Sequence, residues 1–331
     1  MIPIPKPHYK YIQKYCDNVI QSIKKTHNGE EALRLLNFAI NEVKNGLTFE
    51  ALLKMNIEEL IKLKDDYKNY KKNKFPKLKR KRLTKKDSND YKEENKKIKF
   101  YNEIISFKRM DYFYSQYQQQ YGLKLMEKSP VKVCPYCNRI EIHNAEKHKT
   151  SQFDHFIPKG FKNFYPIFAL CYYNLIPACY NCNHIKLSND ISIFSPYDKS
   201  LKNDTFKFNC QIIEMDNISV NIYSTIKEQK YIDAANGLNN SLELQELYSS
   251  SNLVKDIFFT IGDETNKIIN NDYLDQLKKD YIIKKNTHNI TFKKFILKYY
   301  DNDLDFLSYP YSKFTKDMAE KTGLLTFIDN L

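Results

Sequence analysis

Two Cys-x-x-Cys pairs, Cys134-Pro-Tyr-Cys137 and Cys179-Tyr-Asn-Cys182, constrain this 331-residue chain more than any other feature. Each such turn sets two sulfurs on one side of a point, and two turns supply the four soft ligands of a tetrahedral Zn²⁺. The pattern predicts that Cys134, Cys137, Cys179 and Cys182 hold one structural zinc ion. With Cys16, Cys171 and Cys210 the cysteines total seven, an odd number that suits metal binding in a reducing cytoplasm better than a disulfide framework. A competing reading makes Cys134-Pro-Tyr-Cys137 a glutaredoxin-like thiol redox site. That chemistry needs a cysteine pKa lowered at an electropositive helix start, and it does not need a second cysteine pair downstream.

An ordinary zinc ribbon separates its pairs by about 15 to 20 residues, whereas 41 residues lie between Cys137 and Cys179. The insert carries Phe153-Asp154-His155-Phe-Ile-Pro158-Lys159 and then Tyr173-Asn174-Leu-Ile-Pro177, which runs into the second pair. Directly after that pair come Asn183, His184 and Lys186.

On these motifs the stretch from Cys134 to Lys186, with the following Ser195-Pro-Tyr-Asp198, resembles the HNH or ββα-metal nuclease family. The family's Asp-His dipeptide matches Asp154-His155, its central Asn matches Asn174, and its final position, directly after the last cysteine, matches Asn183. This is a His-Asn-Asn variant, similar to phage junction-resolving endonucleases that also carry four zinc cysteines. The resemblance implies phosphodiester hydrolysis, with DNA rather than RNA as the expected substrate, His155 as general base and Asp154 and Asn183 as ligands of one Mg²⁺ or Mn²⁺. It further implies that Asn174 orients the imidazole through a hydrogen bond. His184 is the alternative metal ligand if the helix after Cys182 begins one residue later. Lys159 and Lys186 are candidate phosphate contacts. Bacterial relatives of this kind serve in anti-phage or mobile-element systems, some pairing an HNH subunit with an ATPase, so such a subunit is an expected partner.

Elementary chemistry asks for the same residue types. An attacking water must lose a proton, and an imidazole with a pKa of about 6.5 takes it at physiological pH. A hard cation held by oxygen ligands neutralises charge on the leaving oxygen, which suits a carboxylate and an amide. A non-catalytic zinc module that binds nucleic acid is the other reading of the same residues.

Charge is consistent with either. The net charge is +13, and residues 71–100 alone hold 14 Lys or Arg against 4 acids. Such a block favours a polyanion by counterion release, or else forms a solvated linker. No run approaches the roughly 18 apolar residues of a membrane span, and three prolines in the first seven residues interrupt any signal-peptide pattern, so no membrane role is expected.

The expected fold is mostly α, with a small ββα-metal core stapled by the zinc site and a β-hairpin after it. Residues 1–130 form a helical N-terminal region, 131–200 the nuclease core, and 201–331 the hairpin and a helical C-terminal region. Leu33, Leu35, Leu36, Ala39, Ile40 and Val43 recur at helical spacing and stop before Gly46. Asn56-Ile-Glu-Glu59 has the capping-box pattern. Residues 71–99, broken by Pro76 and Asp87-Ser-Asn-Asp90, read as a long loop, and one helix is expected over 101–122, its aromatics packed in the core rather than stacked on bases. Residues 206–213 and 218–223 alternate about Met215-Asp-Asn217 as a hairpin. Leu244, Leu247, Val254, Ile257, Phe258 and Ile261 read as one amphipathic series, followed by helices over 268–283 and 292–300.

Overall fold

The computed structural model describes residues 1–73, 89–127, 129–142, 144–145, 148–149, 151–159, 165–187, 192–214, 217–268, 271–288 and 291–330. Six helices come first: α1 (Tyr9–Lys24), α2 (Gly29–Val43), α3 (Phe49–Lys54), α4 (Ile57–Asn73), α5 (Asn89–Ile105) and α6 (Met110–Glu127). Short strands follow, β1 (Asn144–Ala145) with β2 (His148–Lys149), and β3 (Ser151–His155) with β4 (Leu175–Cys179), which leads straight into α7 (Tyr180–Leu187). An antiparallel hairpin, β5 (Phe206–Glu214) and β6 (Asn217–Ser224), precedes α8 (Gln229–Asn236), α9 (Leu244–Ser249), α10 (Asn252–Ile268), α11 (Asn271–His288), α12 (Phe292–Leu297), α13 (Ser312–Lys321) and α14 (Leu324–Asp329). Among the described residues no helix is long and apolar enough to cross a membrane.

Two compact units result. One comprises Met1–Ile4, Ser129–Gln152 and Pro177–Leu331; the other comprises Pro5–Lys128 and Phe153–Ile176. The stretch 131–200 is therefore shared between them, because the chain leaves the first unit within β3 and returns to it within β4.

In the unit holding α1 to α6, local signals set the helices. All six apolar residues of the α2 pattern are buried, and each such side chain contributes about 1.5–3 kcal/mol by leaving water. Gly46, past the end of α2, has a φ of 79°, a left-handed conformation that glycine adopts without a Cβ penalty. The capping box is reciprocal: Glu59 N–H donates to Asn56 Oδ1 at 3.0 Å, and Asn56 N–H to Glu59 Oε2 at 2.8 Å. An additional helix, α3, starts on Thr48, whose hydroxyl accepts from Ala51 N–H.

Two expectations fail here. Residues 89–99 are helical, as part of α5, and not loop; residues 74–88 with Pro76 lie outside the described residues. The single helix expected over 101–122 is broken at 106–109. Ser106 Oγ bonds back to Asn102 O at 2.6 Å, and Phe107 takes a φ of 57°, which buries its ring against Tyr67 and Tyr70. A buried aromatic thus outweighs helix continuity.

In the other unit the hairpin has the expected alternation up to Cys210. Phe208 lies opposite Ile222 and Cys210 opposite Val220, all four buried, and a register shift between Ile212 and Glu214 then leaves Ile212 and Ile213 exposed. Met215 and Asp216 of the expected turn lie outside the described residues. Both free edges are satisfied by side chains. Asn239 accepts from Ile222 N–H and donates to Ile222 O, and Ser249 Oγ accepts from Val220 N–H. On the β5 side, Asp317 accepts from Phe208 N–H and Lys321 donates to Cys210 O. Side-chain bonds of this kind blunt an edge as a template for pairing with another chain.

The series expected to run from Leu244 to Ile261 is two helices, because Ser250 and Ser251 break it and Ser251 Oγ accepts from Val254 N–H at the start of α10. Helix α13 was not anticipated. Its inner face carries Lys313 and Asp317, an ion pair in which both side chains are about 1% exposed. Lys316 binds Asp204 (2.5 Å) and Glu320 (2.8 Å), and Lys207 also reaches Glu320 (2.7 Å). Asp204, Asp317 and Glu320 come within 4.8 Å of one another, as cation ligands do, but these three lysines already supply the countercharge. Burial pushes the Lys313 ammonium below, and the Asp317 carboxyl above, its ordinary value, each only partly countered by the other. Removing one member therefore strands a buried charge. Lys313→Met is expected to lower the unfolding free energy by about 3–5 kcal/mol, read as a fall in the urea midpoint. The double variant Lys313→Met/Asp317→Leu should recover most of that loss, short of about 1 kcal/mol for the Phe208 N–H left without its acceptor.

Candidate functional site

The first knuckle is a tight turn with a side-chain lock. Cys134 N–H bonds to Ile140 O at 2.9 Å and Asn138 N–H to Cys134 O at 2.8 Å, while Arg139 N–H points at Cys137 Sγ at 3.4 Å. Asn138 closes the turn with a φ of 52°, a left-handed conformation that asparagine tolerates better than most residues. Its buried amide then reaches the C-terminal region, donating to Phe306 O at 2.7 Å and accepting from Lys313 N–H at 3.0 Å. Its carbonyl accepts from Tyr311 N–H, and the Tyr248 hydroxyl donates to Cys137 O at 2.6 Å.

The second knuckle is built differently. Cys179 ends β4 and Cys182 lies in the first turn of α7, so a strand-to-helix junction aims both sulfurs the same way. All four cysteines are buried, and their sulfurs lie within 4.8 Å of one another. A tetrahedral zinc with bonds of about 2.3 Å needs sulfurs about 3.8 Å apart, a spacing compatible with that limit. Burial first, then Cys137 and Cys179, holds the Cys134 thiol well above its ordinary range, and hydrogen bonding with the other three sulfurs does the same for Cys182. Four thiolates share such a volume only around a cation, and Zn²⁺ fits the donor set. The redox reading does not account for the convergence of the two pairs.

Asn183, His184 and Lys186 follow on α7. Asn183 is buried, and its amide nitrogen donates to Gln152 Oε1. His184 is exposed and stacked on Tyr180 with ring centroids 5.5 Å apart. The helix starts at Tyr180, ahead of Cys182, and not after it. Lys186 is buried at 9% exposure, which places its stem in the packing rather than on an open surface. Ser195-Pro-Tyr-Asp198 forms a turn in which Asp198 N–H bonds to Ser195 O at 2.9 Å.

Asp154, His155, Lys159 and Asn174 belong to the other unit. Asp154, in β3, is 2% exposed. His155 Nε2 lies 3.0 Å from Ala169 O, and its ring meets Tyr114 edge-on with centroids 4.7 Å apart. A carbonyl oxygen only accepts, so Nε2 carries the proton and Nδ1 of the neutral ring holds the basic lone pair. Asn174 is fully buried. Its Oδ1 accepts from Ile157 N–H at 2.7 Å and its Nδ2 donates to Ile157 O and Phe168 O, at 3.1 and 3.0 Å. Those bonds correct the expected role: Asn174 ties together the backbone on either side of the imidazole's anchor, and the carbonyl of Ala169 takes the ring nitrogen. Lys159 is held by Asp111 at 3.1 Å and lies 4.0 Å above the Tyr114 ring, so an ion pair already engages it.

Sequence reasoning missed Ala169, Tyr114, Gln152 and Asn138. A backbone carbonyl leaves no mark in sequence. Asn138 did leave one, because an asparagine directly after a Cys-x-x-Cys turn is a residue suited to the left-handed conformation that closes it.

The chain matches no known family model, and no curated protein or solved structure matches it.

Elemental analysis of purified chain is expected to find about one zinc per molecule. Cys182→Ser should abolish stoichiometric zinc and lower the thermal midpoint, while Cys210→Ser, outside the cluster, should leave the zinc content unchanged.

Proposed function

We propose that this chain is a metal-dependent nucleic-acid phosphodiesterase of the HNH type, acting on DNA. The observation that carries the reading is the state of His155. Its Nε2 lies 3.0 Å from Ala169 O, which only accepts, so in the neutral ring Nε2 carries the proton and the lone pair is on Nδ1. The neighbouring Asp154 carboxylate is buried in the same strand. An imidazole held in one tautomer beside a buried carboxylate suits a base that deprotonates water.

The remaining roles rest on the order of the motif residues. Asp154, and in the other unit Asn183, each carry the kind of oxygen donor that a hard divalent ion takes; such an ion would supply charge neutralisation at the scissile phosphate and leaving oxygen. The Asn183 amide suits this role better than His184, since its nitrogen is already spent on Gln152 and its oxygen is the atom that remains. His155 accepts the proton of the attacking water, whose oxygen bonds to phosphorus as the ester oxygen departs. Asn174 holds the segments around Ile157 and Phe168 and so fixes where the Ala169 carbonyl, and with it the imidazole, can be.

The test is cleavage of plasmid DNA, single-stranded DNA and RNA with Mg²⁺ or Mn²⁺. His155→Ala is expected to reduce cleavage by about 100-fold or more while binding of labelled DNA stays within a few-fold of the unmodified chain. DNA binding without cleavage by the unmodified chain would instead favour a zinc-framed binding module.

A further inference from the structure

Helices α1 and α6 enclose a groove of about 380 Å³, within the size range of small-ligand sites. Tyr15 and Tyr117 form its buried floor, their rings edge-to-face with centroids 5.2 Å apart, and Tyr11 and Tyr121 stand half-buried above them. Lys14 and Lys124 line it with exposed side chains, and no carboxylate is among the described lining residues. Lys25 adds a third ammonium, 5.9 Å over the Tyr121 ring. Aromatic faces flanked by cations with no anion between them are the composition that takes a base and its phosphate.

Two features set this groove apart from ordinary core packing. The phenols of Tyr11 and Tyr15 are turned to backbone carbonyls, of Leu125 and Leu170, so both hydroxyl protons are already engaged. Tyr114, Tyr117 and Tyr121 also lie on one face of α6 at the i, i+3, i+7 spacing, and Tyr117 and Tyr121 stack with an interplanar angle of 27°. The first of the three touches His155. Seven residues of helix rise about 10 Å, so the row begins at the proposed base and ends in the groove, all within one unit.

We infer that the groove between α1 and α6 binds a nucleotide unit, its base stacked on Tyr121 in place of Lys25 and its phosphate held by Lys14 and Lys124. The inference rests on the nuclease reading for its choice of ligand, and two sources offer that chemistry: a single strand leading from the cleavage point, and a free mononucleotide.

The chain has no tryptophan, so Tyr121→Trp introduces a single indole at the site, to be excited selectively over the tyrosines. In a His155→Ala background, which removes cutting, the indole emission is expected to be quenched saturably by a 12-nucleotide single-stranded DNA, by dAMP, or by both; the two arms tell the sources apart. Adding Lys14→Glu and Lys124→Glu should weaken that binding about tenfold or more and flatten its salt dependence. As a check that keeps the native tyrosine, an oligonucleotide carrying 2-aminopurine should lose fluorescence on the His155→Ala chain, and Tyr121→Ala should remove that loss. Quenching by neither ligand, or affinity unchanged by the charge reversals, overturns the inference. Plasmid cleavage by the chain with His155 intact is read separately. Cleavage without quenching removes the groove and leaves the nuclease, whereas quenching without cleavage removes the nuclease and leaves the groove.

Discussion

Four sulfurs converging on one buried point are the constraint on which the cysteine-bearing unit depends. Left to themselves four buried thiolates oppose one another, because a low-dielectric interior penalises each negative charge. A divalent cation reverses the sign of that interaction and turns a repulsive cluster into a crosslink. The crosslink joins two local structures with little in common, a left-handed turn closed by Asn138 and a strand-to-helix junction at Cys179. Neither turn is long enough to hold a hydrophobic core, so each takes its stability from what it is tied to. For the first, that is the backbone of Phe306, Tyr311 and Lys313 and the hydroxyl of Tyr248.

The wide spacing between the cysteine pairs has a structural reason. Residues 153–176 of the insert belong to the unit formed by the N-terminal helices, while the residues flanking them belong to the unit with the cysteines. What reads in sequence as an enlarged zinc ribbon is a ribbon interrupted by a piece of another compact body. Asp154, His155 and Asn174 all fall in that piece, whereas Asn183 falls in the ribbon.

Features fixed by a few neighbouring residues were legible in the sequence: the buried face of α2, the reciprocal box at Asn56 and Glu59, the alternation through Phe206, Phe208 and Cys210, and the cysteine cluster itself. What was not legible depends on distant partners. The break at Phe107 exists because Tyr67 and Tyr70 offer a place for its ring, and those residues are some forty positions away in the chain. Helix α13 reads as a polar segment until Lys313 and Asp317 are seen to neutralise each other inside the fold. Within the site the residue types were legible but their bonds were not. Asn174 was expected at the imidazole and is spent on backbone, because an amide with one acceptor and two donors matches the peptide groups of Ile157 and Phe168 that the turn leaves open.

The lock at Asn138 also orders events in time. The groups it binds lie up to 175 residues further along the chain, and at about 5–20 residues per second a ribosome takes roughly 10–35 s to reach them. Throughout that interval the helices up to Glu127 have already been synthesised, while the Asn138 amide lacks the backbone groups that it locks. The lock therefore forms only after the residues around Lys313 have been made, well after the second cysteine pair, Cys179 and Cys182.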